Sequence, residues 1–120
     1  MSEPAAWEQL ALPEDLKAAL RQAVKVIVAQ AQPQLIILFG SWAEGRARPD
    51  SDVDLLVVAE AEDRLGLAAD LRDLLAPLLG PREFDLLLYP PRRWDWGRRI
   101  TGLLTYEADR WGVRLYDSAA

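Results

Sequence analysis

The sequence predicts an α/β (α+β) fold in which a small mixed sheet of about four strands is backed by helices. Long segments with apolar residues at helical spacing alternate with short apolar runs rich in strand-forming residues. Glycine and proline residues mark the ends of most of these segments. Such alternation favours one sheet packed against helices, and the length of 120 residues fits a single domain over residues 1–120.

Four short apolar runs are predicted to be strands because they combine β-branched, leucine and aromatic residues between turn-forming positions. They lie at residues 35–39, 53–58, 84–89 and 113–116. Gly40 closes the first run, and Pro90-Pro91 breaks the third. Residues 41–44, directly after the first strand, suit a short helix, and residues 45–51 are a polar loop.

Three longer segments are predicted to be helices. The first begins at Pro13-Glu14-Asp15, because proline and acidic residues favour the first helical turn, and Pro33 ends it. The second carries apolar residues at helical spacing from Leu67 to Leu78 and is ended by Gly80-Pro81. The third is predicted from an apolar face at Ile100, Leu103, Leu104, Ala108 and Trp111.

The composition excludes several kinds of chemistry. The chain has no cysteine, which excludes a disulfide framework, a thiolate metal site and a catalytic thiol. It has no histidine, so a Ser-His-Asp triad and a His-ligated zinc are also excluded. The 14 basic and 19 acidic residues give a net charge of −5, which argues against general nucleic-acid binding. Any acid–base or metal chemistry must therefore rest mainly on carboxylates.

Targeting features are lacking in the sequence. Residues 1–12 form a lead-in whose structure the sequence does not indicate, without the basic and then apolar pattern of a secretory signal. No apolar run reaches the roughly 18 residues of a membrane span. We therefore expect a cytoplasmic protein that does not enter a membrane.

The stretch from residue 35 to residue 58 combines the features of a phosphate and metal site. A strand ends at Gly40-Ser41 and a helix begins, where free N–H groups, a close backbone approach and a hydroxyl favour phosphate. Asp52 and Asp54 then lie two residues apart at the head of a strand, on the same face and roughly 6.5–7 Å apart at the backbone. Two such carboxylates suit Mg²⁺, which favours oxygen ligands.

Asp85 interrupts an otherwise apolar strand, where an unpaired carboxylate would be costly to bury. A position beside Asp52 and Asp54 would explain it, as a third metal ligand or as a group that helps to deprotonate an incoming hydroxyl. The alternative is an ion pair with an arginine such as Arg82. Taken alone, Gly40-Ser41 is also compatible with an ordinary turn and a serine cap.

These residues resemble the signature of the polymerase-beta-like nucleotidyltransferase superfamily. The signature is a hydrophobic strand, Gly-Ser, ten residues and Asp-x-Asp, which matches Gly40-Ser41, residues 42–51 and Asp52-Val53-Asp54. Residues 14–117 are most similar to the minimal nucleotidyltransferases. The resemblance implies the polymerase-beta-like fold, with Gly40 and Ser41 contacting a triphosphate. It also implies that Asp52, Asp54 and Asp85 are catalytic residues that bind metal.

The resemblance further implies an activity and a partner. We expect transfer of a nucleoside monophosphate, AMP from ATP, to an acceptor hydroxyl with two Mg²⁺ ions. Many minimal nucleotidyltransferases are antitoxins of a HEPN-domain toxin, and some transfer AMP to a tyrosine of that partner. Many relatives have arginine where this chain has Glu44, so Arg46 or Arg48 would have to supply that cation.

Two other functions are compatible with the sequence. The chain could neutralise its partner by contact alone, because no obvious additional acceptor-binding region is present. A metal-dependent phosphohydrolase would use two aspartates but would leave Gly40-Ser41 without a special role. A basic cluster surrounds two tryptophans; its residues are Arg92, Arg93, Trp94, Trp96, Arg98 and Arg99. We expect a solvated face with both tryptophans in the core, while a partner surface or a nucleic-acid patch is also compatible with these residues.

Overall fold

The computed structural model describes residue 7 and residues 10–120. Helices and strands alternate in this part of the chain, as the sequence predicts. The helices are α1 (Glu14–Ala31), α2 (Ser41–Glu44), α3 (Arg64–Leu79), α4 (Pro91–Gly97) and α5 (Leu104–Trp111). The strands are β1 (Leu35–Phe39), β2 (Val53–Val58), β3 (Phe84–Tyr89) and β4 (Val113–Asp117). The predicted strand positions are confirmed to within one residue.

The described strands form one mixed sheet in the order β3-β2-β1-β4. The central strand β1 is antiparallel to both β2 and β4, whereas β2 is parallel to β3. Parallel neighbours need a crossover connection, and α3 provides it between β2 and β3. This mixed sheet with helices is the predicted α/β fold class.

One face of the sheet is covered by α1 and α3. Leu16, Leu20 and Ile27 of α1 are fully buried there, as are Leu71 and Leu75 of α3. These positions recur every three or four residues, so each helix turns one apolar stripe to the sheet. Helix α1 begins directly after Pro13 and ends before Gln32, which adopts a left-handed conformation, and Pro33 follows.

The other face of the sheet is covered by α4 and α5. Trp94 and Ala108 pack there against a second apolar cluster that includes Ile37 and Leu56. The predicted third helix is present from Leu104 to Trp111, but Ile100 and Leu103 lie before it. A further short helix, α4, precedes it, and a turn at Gly102, with φ of 97°, separates the two. Leu103, Leu104 and Trp111 consequently lie at the surface rather than in the core.

The predicted lead-in contributes to the core at two described positions. Trp7 and Leu12 are both buried and belong to the cluster beneath α1 and α3. Residues 1–6, 8 and 9 of that segment lie outside the described residues. In the part of the chain that is described, no helix is both long enough and apolar enough to cross a membrane.

Candidate active site

Two of the predicted carboxylates lie side by side on the sheet. Asp54 is the second residue of β2 and is in register with Asp85 of the parallel strand β3. On its other side Asp54 pairs with Phe39, the last residue of β1. Neighbouring strands lie roughly 4.8 Å apart, so residues in register on one face are immediate neighbours. The sheet therefore brings Asp85 to Asp54, although 30 residues separate them in the sequence.

Gly40 links the end of β1 to this pair. Its φ of 77° and ψ of −154° lie in a region that is essentially open only to glycine. A Cβ atom at this position would collide with the Oδ2 atom of Asp54. Glycine thus lets the backbone of the Gly40-Ser41 step lie against the carboxylate. Gly40 itself is the N-cap of α2 and Ser41 is the first helical residue, so the alternative of a serine cap does not apply.

Asp52 is exposed and lies just before β2, at the end of the loop that follows α2. Trp42, which is buried, fixes this loop by donating a hydrogen bond from Nε1 to the carbonyl oxygen of Ser51, at 3.0 Å. The Ser51 hydroxyl in turn accepts a hydrogen bond from the backbone N–H of Arg48, at 2.7 Å. Trp42 therefore packs in the core while its ring nitrogen holds the residue that precedes Asp52.

Arg82 contacts the ring of Trp42. Its guanidinium lies 5.6 Å from the centroid of the Trp42 ring and binds Asp15 at 2.9 Å. The alternative pairing of Asp85 with Arg82 is wrong, because Arg82 reaches back to the first turn of α1. Asp85 thus remains available on the face that it shares with Asp54.

The charges of Asp52 and Asp85 act on the carboxyl group of Asp54. Partial burial raises the pKa of the Asp54 carboxyl above its ordinary value of 3.8, and the negative charges of Asp85 and then Asp52 raise it further. Asp54 is half-buried, whereas Asp52 and Asp85 are exposed. The folded chain therefore holds like charges close together, which is destabilising unless a cation compensates them.

The donor set fits Mg²⁺, although the carboxylates do not form a closed cage. Within the described residues, no group of three or more acidic side chains is arranged to hold one metal ion. Mg²⁺ commonly uses only one or two carboxylates and completes its shell with waters and substrate phosphates. Asp52, Asp54 and Asp85 supply oxygen donors of this kind, and the metal roles of these residues stay a prediction.

Cations of the predicted phosphate loop are partly neutralised. Arg46 forms an ion pair with Glu44, with an Nη2–Oε2 distance of 3.3 Å, and its Nε lies 3.4 Å from Oε1. Glu44 therefore pairs with one of the two arginines that could replace the arginine found in many relatives at position 44. Arg48 is exposed, and its backbone holds the loop together through Ser51.

A pocket of about 320 Å³ opens beside the carboxylate pair. Its lining consists of Phe39, Asp54, Arg72, Asp85, Leu86, Leu87 and Leu104. Arg72 was not among the residues expected here, because it belongs to α3 on the opposite face of the sheet. Its side chain donates a hydrogen bond from Nη2 to the carbonyl oxygen of Leu86, at 2.8 Å. In the sequence Arg72 simply follows Leu71 within a predicted helix, and nothing indicates which strand its side chain contacts.

Fold and site together define a nucleotidyltransferase of the polymerase-beta type, since a Gly-Ser step lies against the paired aspartates of a mixed sheet. The sequence matches the family described as "Polymerase beta, Nucleotidyltransferase" over residues 21–110, and the chain belongs to that family. Among curated protein sequences, none matches this chain.

Solved structures that are similar to the chain include three that differ in their identity to it. One, described as a minimal nucleotidyltransferase, is 29% identical, with a TM-score of 0.63, 83% of this chain covered and 92% of that chain. A second, described as a toxin–antitoxin with AMP-PNP, is 25% identical, with a TM-score of 0.55, 82% of this chain covered and 73% of the other. A nucleotidyltransferase structure from Sulfolobus solfataricus is 14% identical, with a TM-score of 0.51 and coverages of 92% and 94%, which shows the fold alone.

Proposed function

We propose that this protein transfers AMP from ATP to a hydroxyl group of a partner protein and acts as the antitoxin of a HEPN-domain toxin. The observation that carries the transferase proposal is the register of Asp54 beside Asp85, with the Gly40 backbone packed against Asp54. The similarity to a toxin–antitoxin structure with AMP-PNP supports both the nucleotide and the toxin partner. A reaction that consumes ATP in this way would take place in the cytoplasm.

The proposed reaction needs positioning and charge neutralisation more than covalent participation by the protein. The acceptor oxygen forms a bond to the α-phosphorus of ATP, and the bond from the α-phosphorus to the bridging oxygen breaks, so pyrophosphate leaves. Asp85, which is exposed and belongs to the pocket lining, takes the proton of the hydroxyl. Gly40 and Ser41 would contact the triphosphate from the end of β1.

The metal role falls to Asp52, Asp54 and Asp85. When bound, Mg²⁺ would neutralise the developing phosphate charge and align the attacking and leaving oxygens. The protein contributes the support of these ligands: the sheet register fixes Asp54 and Asp85, while Trp42 fixes the backbone just before Asp52.

The direct test uses α-labelled ATP and, as the candidate toxin and acceptor, the product of the neighbouring gene. We expect label on the toxin and release of pyrophosphate with the wild-type protein. Asp52→Asn combined with Asp54→Asn should abolish both. Asp73→Asn, which removes a carboxylate at an exposed position of α3, is the matched control and should leave transfer unchanged. Full labelling by the double variant would overturn the transferase assignment, and release of free phosphate would indicate a hydrolase.

A second candidate is neutralisation of the partner by contact alone. The observation that favours it is the Glu44–Arg46 ion pair, which neutralises a cation in the loop expected to bind phosphate. The same double variant separates the two functions in a growth assay with the toxin. Protection that survives the variant would favour contact, whereas lost protection with retained binding would favour catalysis.

A further inference from the structure

The pocket beside the carboxylate pair has a chemically mixed lining. Asp54 and Asp85 supply carboxylates, and Phe39, Leu87 and Leu104 supply apolar surface. Arg72 is the remaining charged residue of the lining, which therefore has one cation and two anions. A ligand in this pocket of about 320 Å³ would meet carboxylates, apolar surface and a guanidinium.

Arg72 reaches this pocket around the open edge of the sheet. β3 is the edge strand, and the carbonyls of Glu83 and Tyr89 accept hydrogen bonds from the β2 side. Because successive carbonyls of a strand point in opposite directions, the Leu86 carbonyl points to the open edge. Arg72 binds that carbonyl from α3 at 2.8 Å, which anchors the guanidinium beside Asp85.

The anchored guanidinium retains donors for a ligand. An arginine side chain has five N–H donors, and one of them binds Leu86. Within the described residues, no carboxylate lies within ion-pairing distance of Arg72, in contrast to Arg46, Arg82 and Arg114. A cation that is held in place without an acidic partner suits an anionic group of a bound molecule.

We propose that this pocket binds the acceptor, and that Arg72 selects a hydroxyl with a neighbouring carboxylate, as in an acidic segment of a partner protein. The assignment rests on the proposed transferase function and names the acceptor side of the same site. The apolar walls fit the ring of a tyrosine whose hydroxyl points to Asp85. Without Arg72, an acidic acceptor would be repelled by Asp54, Asp85 and the net charge of −5.

A protein segment fits this pocket better than a nucleic-acid end does. Nucleic-acid binding uses several cations along the phosphate backbone, and the pocket lining has one. An RNA oligonucleotide with a free 3′-hydroxyl is therefore the contrasting acceptor in the test below.

The test compares two synthetic peptides, each with one tyrosine, flanked either by glutamate or by glutamine. Transfer from α-labelled ATP is measured for the wild-type protein and for Arg72→Gln, Arg72→Lys and Arg64→Gln. Arg64 is an exposed arginine in the first turn of the same helix and does not line the pocket. Thermal unfolding of each variant reports on folding.

We expect Arg72→Gln to raise KM for the glutamate peptide by about 10-fold or more, since a charge-assisted hydrogen bond corresponds to at least this factor. KM for the glutamine peptide and for ATP should not change, and Arg72→Lys should restore part of the preference. Fluorescence anisotropy of the labelled glutamate peptide, without ATP, should show the tightest binding to the wild type, weaker binding to Arg72→Lys and the weakest binding to Arg72→Gln. Arg64→Gln should behave as wild type.

Other results would overturn the assignment. An equal loss with both peptides, or an equal loss in Arg64→Gln, would show a structural or general charge effect. Preferred labelling of the RNA oligonucleotide would show a nucleic-acid acceptor. If the wild-type protein labels neither these acceptors nor the toxin, the proposed function itself fails; if it labels them without any dependence on Arg72, only the acceptor assignment fails.

Discussion

At the scale of single residues, Asp54 combines a proposed catalytic role with a penalty to the folded state. Its pKa is raised by partial burial and by the charges of Asp85 and Asp52. A carboxyl group with a raised pKa in the folded protein destabilises that protein as pH rises above the ordinary value of 3.8. We therefore expect Asp54→Asn to raise the midpoint of urea unfolding at about pH 7.

The same substitution should lower AMP transfer by about 100-fold or more, because even outer neighbours of metal ligands contribute up to roughly that factor. The gain in stability should shrink as pH falls below 3.8, where the wild-type carboxyl is protonated in both states. Urea titrations at several pH values measure the change in stability, and transfer from labelled ATP measures the change in activity. A variant that is less stable than the wild type at neutral pH would contradict this account.

Gly40 supports a second prediction at this scale. Its backbone angles are essentially restricted to glycine, so Gly40→Ala should destabilise the fold by about 1–3 kcal/mol. The added methyl group would also displace the Asp54 carboxylate, which should reduce transfer in the molecules that remain folded.

Gly45→Ala is the matched control for this prediction. Gly45 also has a positive φ, 74°, but a Cβ atom there would meet open space. It should therefore lower stability and leave transfer per folded molecule near the wild-type rate. Equal loss of activity in both variants would mean that the Gly40 contact with Asp54 has no special importance.

The sequence is most informative where the site is local in the chain. Gly40, Ser41, Asp52 and Asp54 fall within 15 residues, so spacing alone indicates that they belong together. Asp85 required a further step, because only the parallel register of β2 and β3 brings it to Asp54.

Arginine partners could not be predicted in the same way. Arg82 pairs with a residue 67 positions away, and Arg72 crosses from one face of the sheet to the edge strand. Long flexible side chains can reach several partners, and only the packed elements decide between them.

At the scale of elements, Trp42 connects α2 to the strand that carries Asp54. Trp42→Phe should retain ring packing against Arg82 but remove the hydrogen bond to the Ser51 carbonyl. We expect a loss of about 1 kcal/mol in stability, as for a typical hydrogen bond. The backbone before Asp52 should also become more mobile, and a higher Mg²⁺ concentration should be needed for half-maximal transfer.

Hydrogen exchange at Ser51 and Asp52, together with an Mg²⁺ titration of activity, checks this prediction. The control is Trp111→Phe, on an exposed tryptophan outside the site. If Trp42→Phe lowers stability but leaves the Mg²⁺ dependence unchanged, the ring acts in packing alone.

The ion pair between α1 and Arg82 gives the fold a second dependence on pH. The hydrogen bond from the Arg82 guanidinium holds the pKa of Asp15 below its ordinary value of 3.8. A depressed pKa contributes stability above 3.8 that is lost as pH falls through the lower value of the folded state. Asp15→Asn should therefore be less stable than the wild type at neutral pH and nearly equal to it in acid.

Urea unfolding of both proteins across this acidic range measures the difference. The effect should be small and should decrease with added salt, because the Asp15 side chain is 72% exposed. The change in stability at neutral pH is opposite in sign for Asp15→Asn and Asp54→Asn. The two variants therefore distinguish a carboxylate paired with an arginine from one that is partly buried beside other carboxylates. A difference that does not depend on pH would show that Asp15 acts by helix capping or packing instead.

Helices α4 and α5 show a feature of the fold that sequence patterns do not predict. Apolar residues from Ile100 to Trp111 have helical spacing, but Gly102 adopts a positive φ and separates α4 from α5. Gly97 then packs so closely on Thr105 that an added Cβ would meet its hydroxyl. Propensity can indicate a weak point at a glycine, but the tight contact between two helices is a property of the folded molecule.

At the scale of the whole molecule, the distribution of charge bears on the choice of partner. The net charge is −5, yet four arginines occur between residues 92 and 99. Arg98 is paired with Asp109 at 3.5 Å, and Arg93 lies 5.8 Å from the centroid of the Tyr89 ring. The basic cluster is thus partly engaged within the fold.

Its tryptophans behave differently from each other. Trp94 is buried in the second core, whereas Trp96 is 65% exposed. The prediction that both tryptophans lie in the core is therefore wrong for Trp96. An exposed tryptophan with neighbouring arginines is more typical of a protein interface than of an array for nucleic acid, which needs several stacking rings along a basic groove.

We accordingly expect no saturable binding of a labelled single-stranded RNA at physiological salt. Binding at low salt, if measured by fluorescence anisotropy, should be weak, because few phosphates can be neutralised against the overall negative charge. By contrast, Trp96→Ala should weaken the complex with the toxin by about 10-fold or more, since exposed tryptophans are frequent centres of binding energy in interfaces. Tight RNA binding that falls steeply with salt and is lost in Trp96→Ala would instead assign this surface to nucleic acid.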